Sequence, residues 1–348
     1  MEYEALRDAA RAALSPTGWQ FYSSVAGGDP DTDHDAWQRL HVLPRMFAGL
    51  ASVDVSVRLP VAAHRGGAIL PSPFVVAPTA AQQLAHPDGE SATATAAGSA
   101  GALMIYSSSA TVEVSEFAQS ATGPWWAQVY FMKDRGLTKD YVERAVAAGA
   151  GALVLTLDYP GTIASPGFRS ATRSKMGVRP ANYPSLDWSE MADEMDPAIT
   201  TDHIAALADM SGLPVHVKGI MRASDAARAI QGGASGIIVS NHGRRQVPGV
   251  ASTAAVLAEV VDEVAAEAPV IVDGGIRHGV DALRAIALGA TLVGIGRPIL
   301  WGLATEGATG VEGVLLGLAE ELRNTMASCG APTLASLDRG FLHNGPRV

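Results

Sequence analysis

Short apolar runs recur along the chain, and each ends abruptly in glycine or a polar residue. The repeated unit is an amphipathic segment, a glycine-containing turn and a run such as ALVLTLD or GIIVSN. Runs without polar interruption are typical of parallel strands that are covered on both faces. We place eight such strands, beginning near residues 73, 102, 126, 152, 214, 236, 269 and 291.

Strands and helical segments alternate over roughly 250 residues, which is typical of a (β/α)8 TIM barrel of the α/β class. A doubly wound sheet is the alternative, but no GxGxxG motif follows the first strand. We therefore predict a single barrel domain over residues 1–348. The long interruption after strand four, residues 159–202, is predicted to be a loop over the active site.

The N-terminal part lacks this alternation, and we predict that residues 1–60 form an N-terminal helical extension. Amphipathic patterns predict helices over residues 2–14 and 18–26, and the polar stretch 27–35 predicts a loop. Within the barrel, Thr138 is predicted to cap a helix.

Composition restricts the class of protein. Hydrophobic residues make up 48% of the 348 positions, which is enough for a large core. A net charge of −10 without a basic run argues against nucleic acid as a partner. Cys329 is the only cysteine, and no apolar run approaches the roughly 20 residues of a membrane span. The N-terminus has no signal-peptide pattern, so we expect a cytoplasmic protein that does not enter membranes.

Polar residues and glycines follow every predicted strand. Active sites of TIM barrels lie at the carboxyl ends of the strands, so these residues are the candidate site. They are Pro78, Thr79, Ala80, Ser107, Gln128, Tyr130, Thr156, Asp158, Lys218, Ser240, His242, Asp273, Gly274, Gly275, Arg277, Gly296 and Arg297.

The last two strand ends have the composition of a phosphate site. Gly274, Gly275 and Gly296 let backbone amides approach an anion closely, and Arg277 or Arg297 adds positive charge. A phosphate site after strands seven and eight is common in this fold.

The earlier strand ends suit a flat heterocycle lying across the barrel mouth. Thr79, Ser107, Gln128 and Thr156 supply hydrogen-bonding groups for its edge. Lys218 would place a positive charge beside the ring.

The sixth strand leads into the segment SNHGRRQ. A histidine can take a proton near neutral pH, and a guanidinium can hold an anion through two parallel hydrogen bonds. His242 and Arg245 therefore indicate a reaction centre. A helix-capping loop with solvated arginines is the alternative for this stretch taken alone.

Seven ordered motifs together resemble one family. They are PTAAQQLAHPDGE, QVYFMKDR, LTLD, VKGI, SNHGRRQ, DGGIR and GIGRP. Over roughly Tyr3 to Leu337 the chain is similar to the FMN-dependent α-hydroxyacid oxidases and dehydrogenases. The resemblance implies a barrel that binds FMN, removes a hydride equivalent from the α-carbon of a 2-hydroxy acid, and forms a homotetramer.

Residue by residue, the resemblance implies roles for five positions. His242 would be the catalytic base, and Asp158 would support it. Tyr130 would contact the substrate, and Arg245 would bind the substrate carboxylate. Lys218 would lie beside the reactive edge of the flavin, with the other strand-end residues completing the FMN site.

The chain departs from the family pattern at the substrate end. Phe21 stands where a substrate-binding tyrosine is usual. The second carboxylate-binding arginine matches Ser165 without gaps, or Arg169 if the loop carries a four-residue insertion. Arg244 replaces a small residue, and Pro248 replaces an aspartate. These changes leave open a second hypothesis, an FMN enzyme that acts on an alcohol or amine metabolite.

A third hypothesis, from another class, is a non-redox phosphate-binding barrel. Histidines and acids do not cluster at ligand spacing, so no metal site is expected. His216 lies deeper than Lys218 on the same predicted strand face, and we interpret it as a core histidine.

Overall fold

Parallel strands close into an eight-stranded barrel within the residues that the computed structural model describes, which are 2–59, 63–159 and 176–344. The strands are β4 (Phe74–Val76), β5 (Leu103–Tyr106), β6 (Trp125–Val129), β7 (Leu153–Thr156), β8 (Val215–Ile220), β9 (Gly236–Val239), β10 (Val270–Asp273) and β11 (Leu292–Ile295). Each begins within one residue of its predicted start. The TIM barrel prediction is therefore confirmed.

The barrel closes where β11 pairs with β4, with Val75 opposite Gly294. Alternate strand residues belong to two separate apolar clusters. Val75 packs in a cluster with the interior-facing residues of the other strands, whereas Phe74 and Val76 pack with residues of the surrounding helices. Since successive side chains of a strand point to opposite faces and both faces are covered, this division explains why the strands are mainly apolar.

Helices surround the barrel. Their ranges are Gly89–Ser99, Val114–Ser120, Arg135–Ala147, Trp188–Glu194, Asp202–Ser211, Ala223–Gln231, Thr253–Val264, Gly279–Ala287 and Arg297–Ser328. The prediction that Thr138 caps a helix is wrong. Asp134 is the cap, accepting a hydrogen bond from Gly136 N, while the buried Thr138 hydroxyl accepts from Met132 N. No helix in the described part of the chain is long and apolar enough to cross a bilayer.

The N-terminal extension contains the helices α1 (Tyr3–Ala13), α2 (Pro16–Ser23) and α3 (Thr32–Gln38). The predicted loop over 27–35 is therefore wrong from Thr32 onward. Tertiary contacts explain α3: Trp37 is fully buried, and its Nε1 donates to the carbonyl of Gly274.

The extension also contains short strands, which lie in its second half after the helices. Strand β1 (Leu40–Val42) pairs with β12 (Leu342–Asn344) near the chain end. Strand β2 (Val57–Leu59) pairs with β3 (Ala68–Leu70) as a hairpin. Leu59 and Leu70 of the hairpin belong to the same apolar cluster as the barrel interior.

Residues 160–175 of the predicted loop lie outside the described residues. The remainder is more ordered than a loop, because Trp188–Glu194 forms a helix. Its N-terminus carries a capping box, in which Asp187 accepts from Glu190 N and the Glu190 carboxylate accepts from Asp187 N.

His216 is a core residue, as the sequence predicts. Its ring is fully buried, stacks on Trp126 at 4.0 Å, and donates from Nε2 to the Ala63 carbonyl at 2.7 Å. Burial lowers the pKa of His216 to about 4 from its ordinary 6.5, and the hydrogen bond to Ala63 only partly opposes this.

We expect this histidine to make stability depend on pH. A lowered pKa contributes stability that is present above about pH 6.5 and is lost as the pH falls toward 4. Between pH 7 and pH 5 the loss is roughly 2 kcal/mol of unfolding free energy. Denaturant unfolding should show a correspondingly weaker pH dependence for His216→Gln, with the exposed His41→Gln as control. Equal pH dependence in the parent and His216→Gln would contradict this.

Candidate active site

A pocket of about 1210 Å3, including the open space at its mouth, lies at the carboxyl ends of the barrel strands. Most of the predicted site residues line it. These are Phe21, Pro78, Thr79, Ala80, Tyr130, Lys218, His242, Arg245, Asp273, Gly274, Gly275, Arg277, Gly296 and Arg297. The others on the described chain are Ser107, Gln128, Thr156, Asp158 and Ser240, and they are buried or nearly so around it. The structure therefore brings the predicted site residues of the described chain together around one pocket.

His242 and Asp158 form the shortest charged contact in the pocket. His242 Nδ1 lies 2.7 Å from Asp158 Oδ1. With the proton on Nδ1 donated to the carboxylate, the Nε2 atom carries the lone pair that can accept a proton. The His242 side chain remains partly exposed at the pocket. This arrangement is that of a general base with an orienting carboxylate.

The ammonium group of Lys218 lies close to the Asp158 carboxylate of this pair. Its ammonium donates to Ser240 Oγ at 2.7 Å and lies 3.4 Å from Asp158 and 3.6 Å from Asp273. Burial lowers the pKa of Lys218, but the two carboxylates outweigh burial and raise the net pKa above its ordinary value. Burial likewise raises the pKa of Asp158, but Lys218 and His242 outweigh it and hold the pKa well below the usual range. Both groups are therefore charged at neutral pH.

Arg245 and Arg297 are anchored at the C-terminal end of α2. Arg245 donates to the carbonyls of Tyr22 (3.1 Å) and Ser24 (3.4 Å), and Arg297 donates to the same two carbonyls at 3.1 and 3.3 Å. The last carbonyls of a helix favour cations. Arg245 also lies 5.4 Å over the ring of Phe21. The N-terminal extension thus positions two cations at the barrel mouth.

Arg277 and Arg297 bring two positive charges close together. Burial is the main cause that lowers the pKa of Arg297 to about 10, and the neighbouring charge of Arg277 adds to it. Arg277 lies 4.6 Å over the ring of Tyr3. Its Nε atom is buried without a hydrogen-bond partner in the described ranges. Two adjacent buried guanidinium groups favour an anion between or beside them.

One wall of the pocket is apolar and was missed from the sequence. It is lined by Met176, Trp188, Met191, Met195 and Tyr159. Trp188 and Met191 are three residues apart on one face of the short helix Trp188–Glu194, and Met195 follows four residues later, just after the helix ends. This spacing could have predicted the apolar wall from the sequence, but the acidic residues between these positions obscured the pattern.

Comparison with known proteins identifies the family. The profile of a family described as FMN-dependent dehydrogenase matches residues 10–344. The chain belongs to the FMN-dependent dehydrogenase family. An L-lactate oxidase of Nostoc sp. is 39% identical over 98% of this chain and 97% of its own. The glycolate oxidase of Spinacia oleracea is 36% identical over 98% of this chain and 94% of its own.

Solved structures agree with this family. A lactate oxidase of Pediococcus acidilactici superposes with a TM-score of 0.90 at 31% identity, covering 99% of this chain and 95% of its own. A mandelate oxidase variant with (S)-mandelic acid superposes with a TM-score of 0.85 at 35% identity, covering 99% of this chain and 98% of its own.

The residues present fit FMN, the cofactor of the family. Gln128 Nε2 and Thr156 Oγ1 are buried and lack hydrogen-bond partners in the described ranges. The amide oxygen of Gln128 is already engaged, accepting from Ser108 N at 3.1 Å and from the Ser107 and Ser108 hydroxyls. Buried polar atoms are rarely left unpaired, so these two groups suit the polar edge of a flavin ring.

The phosphate end fits as well. A Cβ built on Gly296 would meet no atom within 4 Å, so open space faces this backbone. Gly274 has φ +97° and Gly275 has φ +78°, conformations that L side chains rarely adopt. With Arg277 and Arg297 beside them, these glycines form a cradle suited to one terminal phosphate.

At the substrate end, the structure describes Phe21 but neither candidate for the second carboxylate-binding arginine. Phe21 lines the pocket and carries no hydroxyl. The neighbouring Tyr22 does not replace it, because its hydroxyl donates to the Ala81 carbonyl at 2.7 Å. Arg169 and Ser165 both lie outside the described residues.

Proposed function

We propose that this protein oxidises a 2-hydroxy acid to the 2-oxo acid. The observation that carries the proposal is the His242–Asp158 pair, which opens onto the same pocket as Arg245 and the FMN cradle. A base and an anion-binding cation facing one cavity match the two functional groups of a 2-hydroxy acid. Family membership does not favour the alcohol or amine alternative or the non-redox barrel.

His242 takes the proton of the substrate hydroxyl at Nε2. Asp158 stabilises the resulting imidazolium, and Lys218 keeps Asp158 ionised. FMN held by the glycine cradle and by Gln128 and Thr156 would supply the acceptor for the hydride equivalent of the α-carbon, so that the substrate would lose two electrons and two hydrogens as it becomes the oxo acid.

Arg245 is placed to bind the substrate carboxylate. Its guanidinium lies at the pocket surface, braced by the Tyr22 and Ser24 carbonyls and the Phe21 ring. A braced guanidinium loses little conformational freedom when it binds a carboxylate bidentately. Tyr130 also lines the pocket, and we propose that it contacts the substrate.

The apolar wall favours a substrate with a bulky side chain. Trp188, Met191 and Met195 offer a flexible apolar surface that glycolate would not contact. Burying about 100 Å2 of apolar substrate surface contributes roughly 2.5 kcal/mol, or nearly two decades of kcat/KM.

We therefore expect aryl or branched 2-hydroxy acids to be preferred over glycolate and lactate by about 10–100-fold in kcat/KM. Anaerobic bleaching of bound FMN by a panel of 2-hydroxy acids, amino acids and alcohols, with product analysis, is the measurement. Met191→Ala should reduce the preference for bulky acids. Equal rates with glycolate and a bulky acid would contradict the role of the wall. Bleaching by alcohols or amines alone would contradict the proposed function.

The homotetramer and the cytoplasmic location stay predictions from the sequence. Sedimentation equilibrium should give a mass four times that of the 35.9 kDa chain. The assignment of residues 1–348 to one domain also stays a prediction.

A further inference from the structure

The loop that carries His242 has an unusual backbone. Residues His242–Arg244 form a single 3-10 turn in which φ is +56° at His242, +61° at Gly243 and +61° at Arg244. Glycine adopts this conformation freely, but histidine and arginine do so only at a cost. Other contacts must therefore hold the loop.

Arg244 makes many of those contacts. It is 7% exposed, and its side chain donates to the Val250 carbonyl at 2.9 Å. Its backbone N–H donates to the Asn241 carbonyl at 3.0 Å, and its own carbonyl accepts from Ala26 N at 2.8 Å. Arg244 Nη1 lies 3.7 Å from Asp33 Oδ1. The residue thus joins the loop to the N-terminal extension.

Asp33 is the other half of this connection. It is 3% exposed, lies in the first turn of α3, and both of its oxygens accept from Asn241 Nδ2, at 2.9 and 3.1 Å. Burial raises the pKa of Asp33, while the hydrogen bond from Asn241 and the charge of Arg244 oppose this. Asn241 is therefore the main compensation for burial of the carboxylate, and Arg244 adds a positive charge beside it, with a smaller contribution from Arg297.

Helix α3 also contacts the cofactor cradle. A Cβ on Gly275 would lie 2.5 Å from the carbonyl carbon of Asp33, so the two backbones are in close contact. Trp37 Nε1 and His34 Nδ1 reach the carbonyls of Gly274 and Gly275, at 2.8 and 3.2 Å. One short helix therefore contacts both the base-carrying loop and the glycines of the phosphate cradle.

Neither member of the charge pair lines the pocket, so neither contacts the substrate. Because both are buried, removing one would leave the other without its counter-charge.

We propose that Asp33 and Arg244 are positioning residues, a buried ion pair that ties α3 to the His242 loop and holds the imidazole against Asp158. The proposal rests on the proposed function, because it assumes that His242 is the base. The reaction rate depends strongly on the position of the imidazole, since a displacement of about 1 Å in a reacting group can lower the rate 100-fold.

The first test is amide hydrogen exchange on the FMN-loaded protein without substrate. In Arg244→Met and Asp33→Asn, the amides of residues 241–246 and of Ala26 should exchange about tenfold faster. Arg144→Met is the matched control: it removes a half-buried guanidinium that binds Glu113 on the outside of the barrel, and exchange at 241–246 should not change.

The second test is the rate of FMN bleaching by the best 2-hydroxy acid. Arg244→Met and Asp33→Asn should each slow bleaching at saturating substrate by about 10–100-fold, with KM changed less than about threefold. Arg244→Lys should recover part of the loss because it keeps the charge. The double variant should be no slower than Arg244→Met, because the partners act as a unit.

The outcomes separate the two proposals. Unchanged exchange at 241–246 overturns the ion-pair proposal whatever the rates are. Faster exchange with parent-like bleaching also overturns it, because the loop would then be held without affecting His242. If no 2-hydroxy acid bleaches the parent, the proposed function fails, and the exchange data still decide whether the pair holds the loop.

Discussion

Replacing His242 by Gln should slow bleaching of bound FMN by about 10²–10⁴-fold, the usual contribution of a general base. Glutamine keeps a polar side chain of similar length but cannot accept a proton at neutral pH. The loss should be large here because His242 is the only histidine that contacts Asp158 among the described residues, so no other base is oriented there. Stopped-flow mixing with substrate under anaerobic conditions measures the rate directly.

FMN content is the control for this variant. The cradle residues, such as Gly274 and Arg277, do not bond to the His242 side chain, so the variant should retain its flavin. His216→Gln, which removes a buried histidine outside the pocket, should bleach at the parent rate. Parent-like bleaching in His242→Gln would show that another group is the base.

Replacing Arg245 by Met should lower kcat/KM for the acid by about 10²–10⁴-fold, because breaking a partly buried ion pair costs about 3–5 kcal/mol. The methyl ester of the same acid should be a poor substrate for the parent and should be nearly unaffected by the substitution. Methionine keeps the apolar stem over Phe21, so the comparison isolates the charge.

Two comparisons make this test decisive. Arg169→Met should show a similar loss if the loop carries the four-residue insertion, and no loss if Ser165 occupies the family position. An ester that reacts as fast as the acid in the parent protein would contradict carboxylate binding by Arg245 and would revive the alcohol hypothesis.

The barrel was predictable because its signal is local. Strand β9, Gly236–Val239, for example, is apolar at every position and is followed directly by a polar residue. Because parallel strands bring their carboxyl ends to one rim, reading the strand ends was enough to collect His242, Asp158 and Lys218 in one site.

The helices that the sequence did not predict depend on tertiary contacts. Helix α3 is only 7 residues long and acidic, and it exists because Trp37 and Asp33 are buried against the barrel. A segment that short has little helical stability of its own. The helix Trp188–Glu194 is equally short, and for that reason the sequence did not predict it either.

Contacts between distant segments were also invisible in the sequence. The Asp33–Arg244 pair joins residues 211 positions apart, and neither residue type indicates its partner. Likewise, the anchoring of Arg245 and Arg297 by carbonyls at the end of α2 involves backbone atoms that any sequence would supply. The departure at Phe21 was visible, but the engagement of the Tyr22 hydroxyl by Ala81 was not.

Oxidation of a 2-hydroxy acid by the bound FMN is tested most directly by an anaerobic single turnover with the best acid of the panel. The flavin absorbance and the 2-oxo acid are measured in the same sample. We expect one 2-oxo acid for each FMN bleached, and neither change in His242→Gln. Bleaching without a 2-oxo acid, or no bleaching by any 2-hydroxy acid, would contradict the proposed function.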